Sequence, residues 1–309
     1  MNVYQGIENF QFNSKNILTI GTFDGVHLGH KYLLDRVNVL SKKHNGVASV
    51  VTFDPHPQLV VQKEGLAAIK LLTSLDEKVE ILGELGIQNL YIIPFDLQFA
   101  RLSPNEFILT YLKKLIGLVG VVVGHDHGFG NAREGNYTTL LNAFAANSVW
   151  TERLGQFTVN NQLVSSSVIR RLLTAGKIAQ ANELLGYNYS VTKQVIMGNK
   201  RGRELGFPTA NLNIADSDKL IPGTGVYATK CTLNQKTYIG MANIGTRPTF
   251  SDEKTSFEVH LIDFDGDIYN QEIKVEFIIK IRDQIKFNDA SDLVKQLKND
   301  KKNIKSILS

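Results

Sequence analysis

The chain has 309 residues, 43% of them hydrophobic and 21% charged, an ordinary globular composition long enough for about two domains. Its net charge of +4 suits anionic ligands such as nucleotides, but is too small and too evenly spread for a nucleic-acid-binding surface. A lone cysteine, Cys231, excludes an intrachain disulfide, no run approaches the roughly 18 apolar residues of a membrane span, and the N-terminal MNVYQGIENFQFNSKN lacks the pattern of a signal peptide, so a soluble cytoplasmic protein is expected.

The apolar stretch 17–20 predicts a buried strand, and 31–37 has helical spacing. Further strands are expected at 47–53, 90–94 and 119–123, with a shorter one near 149–151. Helical patterns lie between them, at 75–85 after Thr73-Ser74 and at 104–115 after Ser103 as N-cap. This alternation predicts an α/β domain: a parallel sheet with helices on both faces. Such sheets bind ligands at the carboxyl ends of their strands, where His27, His30, Asp54, His56, His125, Asp126 and His127 fall.

After about residue 185 the texture changes. Alternating strands are expected at 190–196, 226–233, 237–244, 256–264 and 272–281, separated by turns such as Pro222-Gly223, Asn234-Gln235 and Asp265-Gly266. A small all-β barrel follows, closed by a helix over 290–308 whose lysines read as one solvated face. The boundary falls near 186–189, dividing the chain into domains 1–186 and 187–309.

The densest signal is Gly21-Thr22-Phe23-Asp24-Gly25-Val26-His27-Leu28-Gly29-His30, set where a strand turns into a helix. Free N–H groups and the helix dipole favour phosphate there. Glycines let a polyphosphate approach the backbone, and histidines donate to oxygens that gain charge. Ser165-Ser166-Ser167 with Arg170 opens a helix at 168–173 and reads either as a second anion cradle or as a serine cap followed by a surface arginine. Thr52-Phe53-Asp54-Pro55-His56-Pro57 ends the second strand, and 123–130 ends the fourth. Zinc is disfavoured, because the histidines have neither cysteine partners nor zinc-site spacing.

In the second domain, Gly198, Lys200, Gly202, Arg203 and Gly206 form a glycine-and-basic loop before Pro208-Thr209-Ala210-Asn211. The loop reads as a polyphosphate wrap or as an exposed basic hairpin. Thr209 and Asn211 alternate, so both could face one hard cation such as Mg²⁺.

GTFDGVHLGH resembles the signature of the HxGH nucleotidyltransferases, in particular their FAD synthetase branch. GNKRGRELGFPTANL, Pro222–Ala228, Asn243–Phe250, Phe257–Leu261 and Asp263–Tyr269, in that order, look like riboflavin kinase. From about residue 17 to the C-terminal helix the chain resembles the prokaryotic bifunctional riboflavin kinase/FAD synthetase family. The resemblance implies a Rossmann-like nucleotidyltransferase domain and a riboflavin-kinase barrel with a terminal helix. It implies Mg²⁺ as cofactor, ATP, riboflavin and FMN as substrates, no zinc, no nucleic-acid or membrane partner, and a monomer or transient homo-oligomer.

It also implies roles. Gly21, Phe23, Asp24, Gly25 and Gly29 would surround ATP, with His27 and His30 on its phosphates and Ser166 and Arg170 closing from the far side. Asp54, His56, Asp126, Phe129 and Arg133 would line the flavin–nucleotide cleft. Thr209 and Asn211 would hold Mg²⁺, and Glu258 would be the general base on the ribityl 5′-hydroxyl. Without the resemblance, Glu258 reads as a structural strand residue. FMN phosphate is already an anion, so adenylyl transfer needs no base. Departures from the pattern are His127 for an aromatic, Gly128 for a basic residue, Lys193 for Gly, Met197 for His, and Tyr187-Asn188 for Arg-Pro. Two rivals are an adenylyltransferase with a silent kinase domain, and a flavin-binding regulator without turnover.

Overall fold

A computed structural model describes residues 1–62, 68–125, 128–131, 134–145, 148–198, 202, 205–215, 217–248 and 253–308. Asp126, His127, Arg133, Lys200 and Arg203 lie outside the described residues. The chain packs as two compact units, Met1–Ser166 and Ser167–Ser309.

In the first unit, β1 (Asn2–Gln5), β2 (Asn16–Ile20), β3 (Val47–Asp54), β4 (Asn89–Pro94), β5 (Gly120–Val123) and β6 (Trp150–Arg153) form one sheet of order β1-β4-β3-β2-β5-β6. Every pairing is parallel. The central strands read as apolar runs because both faces are covered. Neighbouring residues serve opposite cores: Ile17, Val50, Leu90 and Val122 meet α1 (Leu28–Lys43) and α3 (Leu75–Glu84). Leu18, Val51, Tyr91 and Val121 meet a helix over Phe107–Ile116 and α5 (Tyr137–Phe144).

Two features depart from the sequence reading. β1 is an edge strand in register with β4, Asn2 opposite Asn89, and its mostly exposed polar side chains leave no apolar signature. The helix after Ser103 opens as α4 (Pro104–Glu106) with the expected cap, Ser103 and Glu106 bonding reciprocally, then winds as a π-helix that ends with Gly117 N–H donating to the Leu112 carbonyl at 2.8 Å. Its buried residues Ile108, Leu112 and Ile116 recur every fourth position, a spacing that does not separate α from π winding.

At the amino end of the sheet, buried Asn16 joins three strands. Its Oδ1 accepts from Ser49 Oγ at 2.7 Å and Asn89 Nδ2 at 3.3 Å, and its Nδ2 donates to Tyr91 Oη at 3.1 Å and the Gly117 carbonyl at 3.1 Å. Satisfied in this way, the group holds the strands in register at the end remote from the site.

The second unit begins within α6 (Ser166–Thr174), followed by α7 (Ile178–Leu185), which stops at left-handed Gly186. A two-stranded ribbon, β7 (Thr158–Val159) and β8 (Gln162–Leu163), belongs to the first unit. The second unit's strands form a closed barrel: β9 (Ser190–Ile196), β10 (Ala210–Leu212), β11 (Gly225–Leu233), β12 (Lys236–Pro248), β13 (Glu253–Leu261) and β14 (Glu272–Arg282), in the order β10-β13-β12-β11-β14-β9. Asn234 and Gln235 both have positive φ, so the expected β11–β12 turn has type I′ geometry. β10 was not foreseen; three residues are too few for a readable period, yet they close the barrel between β9 and β13. Helix α8 (Ala290–Leu308) packs Ile304 against Val226, Met241, Ile262 and Phe207, and its buried Asp300 takes a 2.8 Å ion pair from Arg282. Cys231 is buried in the barrel, and that burial pushes its thiol pKa up to about 12.

Candidate active sites

Strand order reverses at β2, which has β3 on one side and β5 on the other. A crevice opens at the carboxyl end of a strand placed in this way. The chain leaves β2 with Gly21 N–H still donating to the Val51 carbonyl at 3.0 Å. It then turns through positive φ at Phe23, Gly25 and Val26. The buried side chains of Phe23 and Val26 hold that unfavourable backbone by seating in the apolar core.

Asp24, between them, is 2% exposed. Its Oδ1 accepts from the amides of Leu72 (2.8 Å) and Thr73 (3.1 Å), while Gly25 N–H donates to Thr73 Oγ1 at 3.0 Å. This carboxylate oxygen therefore clamps the β2–α1 turn to the segment ahead of α3. Ser166, the last residue of the first unit, donates from Oγ to the Asp24 carbonyl at 2.9 Å. Arg170 lies one helical turn further along α6.

His27 caps α1: its Nδ1 accepts the His30 amide at 3.2 Å. An accepting Nδ1 leaves the neutral ring's proton on Nε2, a donor suited to a phosphate oxygen. The His30 ring stacks on it with centroids 3.7 Å apart, and among the described residues His30 Nδ1 is buried with no hydrogen-bond partner. Burial, then His27, then Lys78 hold the His30 pKa well below 6.5, so this imidazole is neutral at pH 7. Gly29 also leaves space for the His27 ring, which the sequence did not give away. A Cβ there would lie 3.3 Å from the His27 ring and 3.4 Å from the Val164 carbonyl.

Lys78 is the residue that the sequence reading missed here. It is 6% exposed, on α3, with its pKa lowered by burial and supported by the Asp24 and Asp54 carboxylates. The signal was present: Lys78 and Leu82 are the buried i, i+4 pair of α3.

Around the crevice, Asp54 ends β3, and buried His56 caps the short α2 (Pro57–Val60) by accepting from Gln58 N–H at 3.1 Å. His125 is exposed. Phe129, expected to line a cleft, is a core residue with its ring 5.8 Å from Phe107. Among the described residues no cluster of three or more His, Cys, Asp or Glu side chains is placed to hold a metal.

In the barrel, the register of β10 on β13 sets Asn211 opposite Glu258 and Ala210 opposite Val259. Thr209, just before β10, donates from Oγ1 to Glu258 Oε2 at 3.2 Å. Three oxygen-bearing side chains distant in sequence thus meet at one place. A Cβ on Gly198 would overlap the Asn211 amide, and one on Gly202 would overlap the Phe207 carbonyl. Gly206 has φ +77°, a conformation side chains disfavour, with open space around it. His260, two residues beyond Glu258, is buried beneath this segment and also escaped the sequence reading.

An FAD synthetase family model matches residues 9–168, and a riboflavin kinase family model matches residues 185–308. The chain is 37% identical over 297 residues to the bifunctional riboflavin kinase/FMN adenylyltransferase of Listeria monocytogenes, covering 95% of this chain and 92% of that protein. Its counterpart in Bacillus subtilis is 36% identical, with 93% and 91% covered, and that of Escherichia coli K12 is 34% identical, with 97% and 96% covered. A solved structure named macrolide-efflux protein, from Streptococcus pneumoniae, matches with a TM-score of 0.90 at 30% identity over 99% of both chains. Among the described residues, no helix of this chain is long and apolar enough to cross a membrane.

Proposed function

The chain belongs to the bifunctional riboflavin kinase/FMN adenylyltransferase family, phosphorylating riboflavin to FMN and adenylylating FMN to FAD with ATP, and from that premise we propose which residues carry each step.

Phosphoryl transfer belongs to the barrel. The observation that carries this reading is the 3.2 Å bond from Thr209 to Glu258, with Asn211 opposite in the ladder. Glu258 takes the proton of the ribityl 5′-hydroxyl, a neutral nucleophile that needs a base. The Thr209 hydroxyl orients that carboxylate by donating to it. The donor set of Thr209 and Asn211 is hard oxygen, as Mg²⁺ prefers, and the ion when bound supplies charge neutralisation at the transferred phosphate. The loop around Gly198, Gly202 and Gly206 takes the nucleotide phosphates through backbone N–H groups; support comes from glycine positions where a side chain overlaps neighbours or strains the backbone.

Adenylyl transfer belongs to the β2 crevice. FMN phosphate attacks the α-phosphorus of ATP and pyrophosphate leaves. His27 and His30 donate to phosphate oxygens as charge shifts toward the leaving group. Gly21, Phe23, Asp24 and Gly25 shape the turn that presents them, Ser166 bonds to that turn, and Arg170 is assigned to the same phosphates by its place in the family pattern. Asp54 and His56 bound the flavin side of the cleft.

By function we divide the chain as 1–186 and 187–309. The two family matches end at 168 and begin at 185, whereas α7 is hydrogen-bonded to the barrel, Asn182 Nδ2 donating to the Phe277 carbonyl at 2.8 Å. A cytoplasmic location and a monomer or transient homo-oligomer complete the reading.

One experiment tests it. Full-length Glu258→Ala and His30→Ala proteins are assayed separately for FMN formed from riboflavin and for FAD formed from supplied FMN. Glu258→Ala abolishes the first and spares the second; His30→Ala does the reverse. A folded Glu258→Ala protein that loses both activities would break the two-site assignment.

A further inference from the structure

We infer that His260 is a positioning residue for phosphoryl transfer: its Nδ1–H holds the Pro208 carbonyl and thereby sets Thr209 against Glu258. The inference deepens the kinase assignment above and rests on it.

His260 Nδ1 lies 2.8 Å from the Pro208 carbonyl oxygen. A carbonyl can only accept, so the proton is on Nδ1. The ring is 5% exposed and is crossed edge-on by Phe207 at 5.3 Å. His260 therefore grips two consecutive residues, Phe207 and Pro208, immediately before Thr209. Its own strand fixes it relative to Glu258, since positions two apart share one face of a strand. The Ala210–Val259 and Asn211–Glu258 pairs begin the ladder only after Thr209. Ahead of that ladder, besides the Thr209–Glu258 bond itself, the Pro208 carbonyl ties the backbone to β13 through a side chain of the base-bearing strand. A slip here moves the Thr209 hydroxyl away from the carboxylate it orients.

The neutral ring is the form the environment favours. Burial lowers the His260 pKa below 6.5, and Lys301 of α8 lowers it further; the Pro208 bond and Asp263 act the other way. Among the described residues Nε2 is buried with no hydrogen-bond partner, so Nδ1 is the atom that serves the segment.

The test compares full-length His260→Leu, His260→Asn and Glu258→Gln with wild type. The asparagine amide places an N–H close to where Nδ1 stood; leucine fills space without a donor. FMN formation is followed against riboflavin and Mg²⁺ concentration, and FAD formation from FMN serves as control. His260→Leu is expected to lose about tenfold to a hundredfold in kcat with the riboflavin KM little changed, because the Pro208 carbonyl loses the donor that holds it and the catalytic geometry loosens. The Mg²⁺ concentration for half-maximal rate rises, since Thr209 is displaced. His260→Asn recovers most of the rate, and FAD formation is unaffected in both. Wild-type turnover in His260→Leu, or equal impairment of both variants, overturns the inference. Full kinase activity in Glu258→Gln would instead sink the underlying assignment, so the two failures are told apart. Should His260→Leu not fold, the ring ¹⁵N spectrum of the wild-type protein decides: a protonated Nδ1 and bare Nε2 are expected, and the opposite tautomer refutes it.

Discussion

The His30 amide donates to His27 Nδ1 at 3.2 Å while the two rings stack at 3.7 Å. The first histidine of the pair is thereby fixed in tautomer and orientation by the backbone of the second. His30, whose pKa burial holds well below 6.5, is uncharged at pH 7 and serves as a hydrogen-bond donor rather than as a cation.

The first prediction concerns pH. The folded-state pKa of His30 is depressed, so between that value and 6.5 the unfolded chain binds the extra proton. Stability therefore rises with pH up to about 6.5 and falls as pH drops below it. His260 contributes in the same direction. Thermal melts from pH 5 to 8 should show that His30→Gln flattens this slope without removing it.

Lys78→Met should move His30 itself. The ammonium lowers the His30 pKa, so its loss raises that value, which NMR titration of the ring reads directly. FAD formation is expected to fall about tenfold or more, with FMN formation unchanged. An unmoved His30 titration would mean that the two groups do not interact.

Asp24→Ala should destabilise the first unit by about 2–4 kcal/mol, because it strands two buried amides and unpins the β2–α1 turn. Asp24→Asn keeps an acceptor and should lose less. Chemical denaturation followed by fluorescence checks the ranking.

Two glycines of the barrel loop should respond differently. Gly198→Ala drives a methyl into the Asn211 amide and should cut FMN formation by tenfold or so while leaving FAD formation from FMN intact. Gly206→Ala meets open space and suffers mainly from its φ of +77°, a loss of about 1–2 kcal/mol in the local turn. A Gly198→Ala enzyme with normal kinase kinetics would show that Asn211 can move without consequence.

How much was readable in advance depended on burial and length. The four strands β2 to β5 announced themselves because a doubly covered parallel strand is an apolar run, whereas β6, a half-buried edge strand of sequence WTER, showed only at its start. β1 did not, being a polar edge, and β10 did not, being three residues long. The kinase constellation was only half legible. Thr209 and Asn211 alternate in the sequence, but their meeting with Glu258 depends on cross-strand register between segments almost fifty residues apart. Gly29 was read as room for phosphate; the packing adds that a Cβ there would also crowd the His27 ring, which the sequence alone does not show. Lys78 and His260 were passed over because a lone charged or polar residue in an apolar pattern carries no local mark of what it faces.

Cys231 has a consequence for studying the enzyme. It is the chain's one cysteine, it is buried, and its pKa near 12 leaves almost no thiolate at neutral pH. A cysteine introduced on the surface would then be the sole thiol that maleimides reach. Paired fluorophores or spin labels could report on the two units during turnover in an otherwise unaltered background.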